Sequence, residues 1–134
     1  MIKLRTNQAD RSGVASIELA VCLPILVIVA FVAIEACGML YLAQSLKIAS
    51  FEGARVGVVP LAETDNVVFQ CETLLDDRAI QGYTISLDPS DPALLEEGDY
   101  FRVTINVDYE QNALIPGFML GNRVISRSTA LRAD

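Results

Sequence analysis

From Val14 to Ile34 the chain is almost purely apolar, broken only by Ser16 and Glu18. A helical run of roughly 21 residues rising about 1.5 Å each spans ~30 Å, the thickness of a bilayer's hydrocarbon core. The twelve residues before Gly13 are polar and short, with Lys3, Arg5 and Arg11 against Asp10, so the basic flank predicts an N-terminus on the cytoplasmic side. The apolar run is too long, and its exit too poor in small residues, for an ordinary cleavable secretory signal. Pro24 inside it removes the hydrogen bond to the carbonyl of Ala20 and is expected to bend the helix, which membrane helices tolerate.

The periodicity continues past the apolar block. Leu42, Leu46 and Ala49 fall at helical spacing with Gln44, Lys47 and Glu52 largely elsewhere, so one helix is predicted from Val14 to about Arg55. Gly53, Gly57 and Pro60 punctuate its exit. Gly53 and Gly57 form a G-x-x-x-G, but Arg55 between them argues against a lipid-buried dimer face. Val67, Val68, Cys71, Leu74, Leu75 and Ile80 then suit a second, amphipathic helix over about 65–80, with Gly82 as its stop.

Alternation takes over at Tyr83, Ile85 and Leu87, and again, most cleanly, at Phe101, Val103, Ile105, Val107 and Tyr109. A third strand is predicted over 124–131, with Ile125, Ala130 and Leu131 facing inward. The expected architecture is α+β. A leader (1–13) precedes a transmembrane helix and stem (14–56), and a small extracytoplasmic head (57–134) follows, with one helix and about three antiparallel strands packed against a helix.

Composition sharpens this reading. The chain has 134 residues, 52% of them hydrophobic, and the mean hydropathy of +0.40 reflects an excess concentrated in one block, which marks a membrane class rather than a greasy soluble core. A net charge of −7 argues against nucleic-acid binding, and the absence of His removes histidine catalysis and most zinc sites. Of three cysteines, Cys22 and Cys37 lie on the apolar helix and Cys71 alone lies in the head, so the head holds no internal disulfide. No cofactor is implied.

Two carboxylates interrupt the apolar helix. An acidic group inside a membrane helix costs about 2.5–3.5 kcal/mol on insertion scales and seldom stands there without a partner or a function. Glu18 is the first. Glu35, 17 positions on and ~25 Å further along a helix, is expected near the outer edge of the bilayer, either as a carboxylate reaching water or as a paired intramembrane charge. In the head, the acidic stretch 88–99 invites a calcium reading, but its spacing matches no EF-hand loop and suits a solvated turn. The apolar loop 113–120 around Pro116-Gly117 is read as closing the head against its stem.

Three groups of residues together carry a family resemblance: Arg11 to Ala20 with Leu23-Pro24, then Ile34-Glu35 with Gly38 and Tyr41, then Phe51-Glu52-Gly53-Ala54-Arg55. Gly13 with Glu18 at the fifth position after it resembles the type IV prepilin cleavage motif. The combination over about 11–58 is similar to the TadE-like family of tight-adherence pilus proteins, departing from it at Leu19 and Phe51. The resemblance implies a non-enzymatic minor pilin or pseudopilin of the bacterial inner membrane, with a pilin-like fold. It is expected to be matured by a prepilin peptidase cutting between Gly13 and Val14. The family motif falls on Pro24, Glu35, Gly38, Glu52, Gly53, Ala54 and Arg55, and the implied partners are other pilin subunits, the assembly platform and membrane lipid.

The chemistry is consistent with that implication. Glycine before the cut lets an extended chain approach a protease backbone closely. The cut would expose an α-ammonium on Val14, one turn from Glu18, and a neighbour's Glu18 could neutralise it and set the axial register of stacked helices. Removing residues 1–13 leaves seven basic and 16 acidic groups, a net charge of −9. The competing reading is a membrane-anchored periplasmic binding or sensor module with an uncut signal anchor.

Overall fold

The computed structural model describes residues 9–114 and 123–133. The chain divides into two compact units, Met1–Ala36 and Cys37–Asp134. Helix α1 (Ala9–Gly57) begins in the first and ends in the second.

In the first unit, every residue from Gly13 to Ile34 is exposed, and its large side chains are apolar apart from Glu18. A helix that is hydrophobic all round with no protein about it is built for lipid. Among the described residues it is the one helix long and apolar enough to cross a membrane, with a mean hydropathy of 2.9 over its most apolar window. The helix starts at Ala9 rather than at Val14 as expected. No proline lies between Ala9 and Gly13, and a single glycine costs about 1 kcal/mol relative to alanine, too little to end a long helix. Pro24 likewise lies within α1, which is continuous through it.

The second unit is a three-stranded antiparallel meander with two helical segments on one face. Strands β1 (Tyr83–Asp88), β2 (Tyr100–Asp108) and β3 (Val124–Arg132) lie in the order β1-β2-β3. Ile85 faces Ile105, and Val107 faces Ile125. The alternation of β2 puts Phe101, Val103, Ile105 and Val107 in the core, as read from the sequence. On β3 the inward residues are Ile125, Thr129 and Leu131, while Ala130 is exposed. Ala130 and Leu131 are neighbours, and in a strand neighbours point to opposite faces, so only one of the two can be inward.

Helix α2 (Thr64–Asp76) buries Val67, Cys71 and Leu75. It stops well before Gly82. The amide of Ala79 donates to the Asp76 carbonyl at 2.8 Å and that of Ile80 to the Leu75 carbonyl at 3.0 Å, with Ala79 at φ 54°. This is the paired bonding of a Schellman cap, with buried Leu75 and Ile80 as its hydrophobic contact. Between the helices, Ala62 N–H donates to the Val59 carbonyl at 3.0 Å, and Leu61 sits at φ 64° after Pro60, closing a tight turn.

The two helices occupy different sides of the same sheet face. The Tyr83 hydroxyl on β1 donates to Asp76 Oδ1 on α2 at 2.9 Å. Ser50 on α1 and Thr129 on β3 share a hydroxyl–hydroxyl hydrogen bond of 2.8 Å. Leu42, Leu46, Ala49 and Ala54 of α1 complete the core. The pilin-like α+β layout expected from the pattern is the one observed: a long apolar N-terminal helix, a second helix and a three-stranded sheet.

Candidate functional site: the apolar helix and its head-docking turn

Gly13, Val14 and Glu18, which the sequence suggests as a processing site, lie on an open helix surface. An added Cβ at Gly13 would meet no atom within 4 Å, and Val14 and Glu18 are exposed. Val14 and Glu18 are four residues apart, ~6 Å along the axis and on one face. The helix thus presents both groups outward, where another molecule can reach them.

Glu35 is buried, 4% exposed, so of its two readings the one in which the carboxylate reaches water does not hold. Helical periodicity places Glu35 about two turns before Leu42, on the side of α1 that carries the buried residues, and spacing along the membrane alone could not reveal that. Gly38 faces the head's own loop: a Cβ there would lie 3.7 Å from Leu114 Cδ1 and 4.0 Å from the Tyr109 hydroxyl oxygen. The rest of the apolar loop, from residue 115, lies outside the described residues.

The Glu52-Gly53-Ala54-Arg55 turn divides by direction. Glu52 and Arg55 point outward and form an i,i+3 ion pair of 3.5 Å, an exposed contact worth at most about 1 kcal/mol. Gly53 and Ala54 point inward, and Ala54 is wholly buried. An added Cβ on Gly53 would collide with Cys71 Sγ and lie 3.6 Å from Val103 Cγ1. One turn later, a Cβ on Gly57 would overlap the ring of Phe101. The G-x-x-x-G is therefore the groove by which α1 approaches α2 and β2 of its own head. The glycine spacing is visible in the sequence, whereas its use against the chain's own head is not. The available signal was Ala54 beside Gly53, small residues where a close helix contact needs them.

Cys71 is completely buried, and its thiol donates to the Ala49 carbonyl at 3.5 Å. Burial first, and the nearby Glu72 charge second, push the thiol up to about 11 from an ordinary value of 9.0. Its thiol is thus sequestered from a partner cysteine. The folded head holds this thiol neutral while the unfolded chain releases its proton above pH 9. Cys71 thus contributes stability that is fully present below pH 9 and is lost as pH rises towards 11, ~2–3 kcal/mol in total. Urea unfolding of the full chain in detergent should show this decline between pH 9 and 11, and Cys71→Ala should remove it. An identical decline in Cys71→Ala would mean that another group is responsible. On β1, desolvation first and then the Asp76 bond hold the Tyr83 phenol up at about 12.

The acidic 88–99 stretch uses its carboxylates locally. Asp91 Oδ1 accepts from Ala93 N–H at 3.0 Å, and Asp99 Oδ2 from Glu96 N–H at 3.2 Å. Among the described residues no three His, Cys, Asp or Glu side chains gather as a metal would need. The two hollows beside the 57–62 turn share Val59, Pro60 and Leu61, and their charged lining is Glu96 and Glu97 in one and Glu52 and Arg55 in the other, with no nucleophile set beside a base.

An apolar helix long enough to cross a membrane, with a small α+β head packed on its last turns, is a pilin-like layout. Residues 13–55 match the family model described as TadE-like protein. Neither a curated protein nor a solved structure matches the chain. The matched segment takes in every residue singled out as processing site or family motif. TadE-like pilus proteins are structural rather than enzymatic and associate with pilus components.

Proposed function

We propose that this chain is a minor pilin or pseudopilin of a tight-adherence pilus system. It is held in the bacterial inner membrane by α1 with its N-terminus in the cytoplasm and its head outside. A prepilin peptidase cuts between Gly13 and Val14, and Glu18 then sets the register of the subunit among its neighbours. Its partners are other pilin subunits, the assembly platform and the surrounding lipid.

The observation that carries this reading is where the exposed apolar surface of α1 ends. An anchor needs only to span the bilayer. Here Leu40, Tyr41, Ile48 and Phe51 are 44–62% exposed, on the side of α1 turned away from its own head core. Tyr41, Ile48 and Phe51, with Gln44 and Arg55, repeat at alternating steps of three and four, the spacing of a helix that lies along another helix. A binding module on a simple anchor has no use for such a stripe, whereas a subunit whose helix packs among others does.

The helix form of the Gly13 region is compatible with cutting, since glycine makes this the least costly point at which to unwind α1 into the extended form a protease holds. The deciding measurement is the intact mass and N-terminal sequence of the membrane-borne protein in cells with and without their prepilin peptidase. A chain beginning at Val14 only when the peptidase is present is expected. A chain retaining Met1 in both would leave the anchored-module reading in its place.

A further inference from the structure

The head carries two unsatisfied flanks of opposite charge on opposite sides. Among the described residues β3 is an edge strand, with β2 its one neighbouring strand. From 123 to 132 it presents Arg123, Arg127 and Arg132 with no acidic residue, all three exposed. Among the described residues none of these arginines is in a salt bridge. Val124 beside them is 70% exposed. The opposite flank is α2, which the Tyr83–Asp76 bond places on the β1 side, while the Ser50–Thr129 bond places α1 on the β3 side. The outward stripe of α2 is Asp65, Phe69, Glu72 and Asp76, spaced four, three and four, so that all lie on one helix face. Phe69 is 68% exposed at its centre.

An open strand edge and a helix face bearing a lone exposed aromatic are both surfaces that proteins ordinarily cover. The charges identify the cover. A two-fold contact would set acid against acid or arginine against arginine, and only a contact between unlike flanks is electrostatically complementary. We propose that the α2 face of one copy of this chain docks on the β3 edge of the next, a heterologous side-to-side contact between heads. Each copy keeps one flank free, so the contact propagates into a row or a ring instead of closing as a dimer. Exposed ion pairs are individually weak, so the contact forms where copies are concentrated by a shared membrane or filament. It rests on the reading of the chain as an assembling subunit.

The test uses the full chain, with Cys22→Ser and Cys37→Ser, in two differently tagged copies expressed in one membrane. One carries Thr73→Cys beside the acidic stripe and the other Ser128→Cys on the basic edge, both exposed positions. Oxidation should join the Thr73→Cys and Ser128→Cys copies at least about five times as efficiently as either copy joins itself. Arg127→Glu with Arg132→Glu on the edge copy should lower the yield at least about fivefold. Asp65→Lys with Glu72→Lys on the helix copy should restore it, which guards against a mere folding defect. Equal yields in like and unlike pairs, or yields indifferent to charge reversal, would overturn the contact, as would cross-linking only to a different protein. The N-terminus is sequenced in the same samples. A chain cut before Val14 whose flanks do not cross-link would sink this contact alone, and an uncut chain would sink the subunit reading instead.

Discussion

Glu18→Leu should leave the chain inserted in the membrane and remove it from assembled filaments, lowering its incorporation at least about tenfold. Insertion itself should improve, because the substitution removes an acidic group that costs about 3 kcal/mol at membrane depth. If the chain is cut before Val14 as proposed, assembly should fail, because the cut chain still brings an α-ammonium, one turn from position 18, into a lipid-surrounded array of helices. Leaving one member of a buried ion pair without its partner costs about 3–5 kcal/mol, a factor of 10²–10³ in an equilibrium. Glu18 is exposed on α1, so in the proposed array a neighbouring subunit can reach it. The check is the ratio of filament-borne to membrane-borne protein on immunoblots of sheared and cell-bound fractions, with Glu18→Asp as a companion that keeps the charge. Wild-type incorporation of the leucine variant would end the register assignment.

Patterning revealed the architecture because each element here buries one clear face. The 101–109 alternation became β2 with all its odd positions in the core, and the apolar run after Gly13 became the exposed first part of α1. The misreadings share a cause, which is that local signals were overruled by neighbours not adjacent in sequence. Gly82 was read as the stop of α2, yet Ala79 takes the left-handed turn, because Ile80 gains a buried place against Leu75. Leu61 adopts a positive φ for which glycine is the usual signal, and so left no trace in the pattern. Ala130 looked as apolar as Leu131, and only the hydrogen bond of Thr129 to Ser50 on α1 identifies which parity faces the helix. The candidate site was legible as a set of residues, since Gly13, Glu18 and the Glu52–Arg55 turn stood out by type and spacing. What could not be read was direction: that Gly53 and Ala54 turn inward while Glu52 and Arg55 turn out.

Gly57→Ala should be the most damaging single-methyl change in the head, at a position where helix propensity alone predicts a gain of about 1 kcal/mol. The new Cβ would fall among the Cδ1, Cε1 and Cζ atoms of Phe101, a ring that is completely buried and anchors the start of β2. Neither side can yield cheaply. Moving Phe101 disturbs the register of β2 against both neighbouring strands, and moving α1 drags Gly53 away from Cys71. Overpacking of a filled core costs about 1–3 kcal/mol, and displacing a buried phenylalanine about 3–5, so a net loss of ~2–4 kcal/mol is expected. In a unit of this size that lowers the melting temperature by roughly 10–25 °C. Gly13→Ala supplies the internal control: the same methyl, the same helix, but nothing within 4 Å, and therefore a neutral or slightly stabilising result. Phe101→Leu in the Gly57→Ala background should recover part of the loss, because the smaller side chain vacates the ring's space. Thermal unfolding of the full-length chain in detergent, followed by circular dichroism, reads all three. If Gly57→Ala melted alongside Gly13→Ala, the close approach of α1 to β2 would not be what holds the head to its helix, and the inward role of the Gly53–Gly57 turn would have to be abandoned.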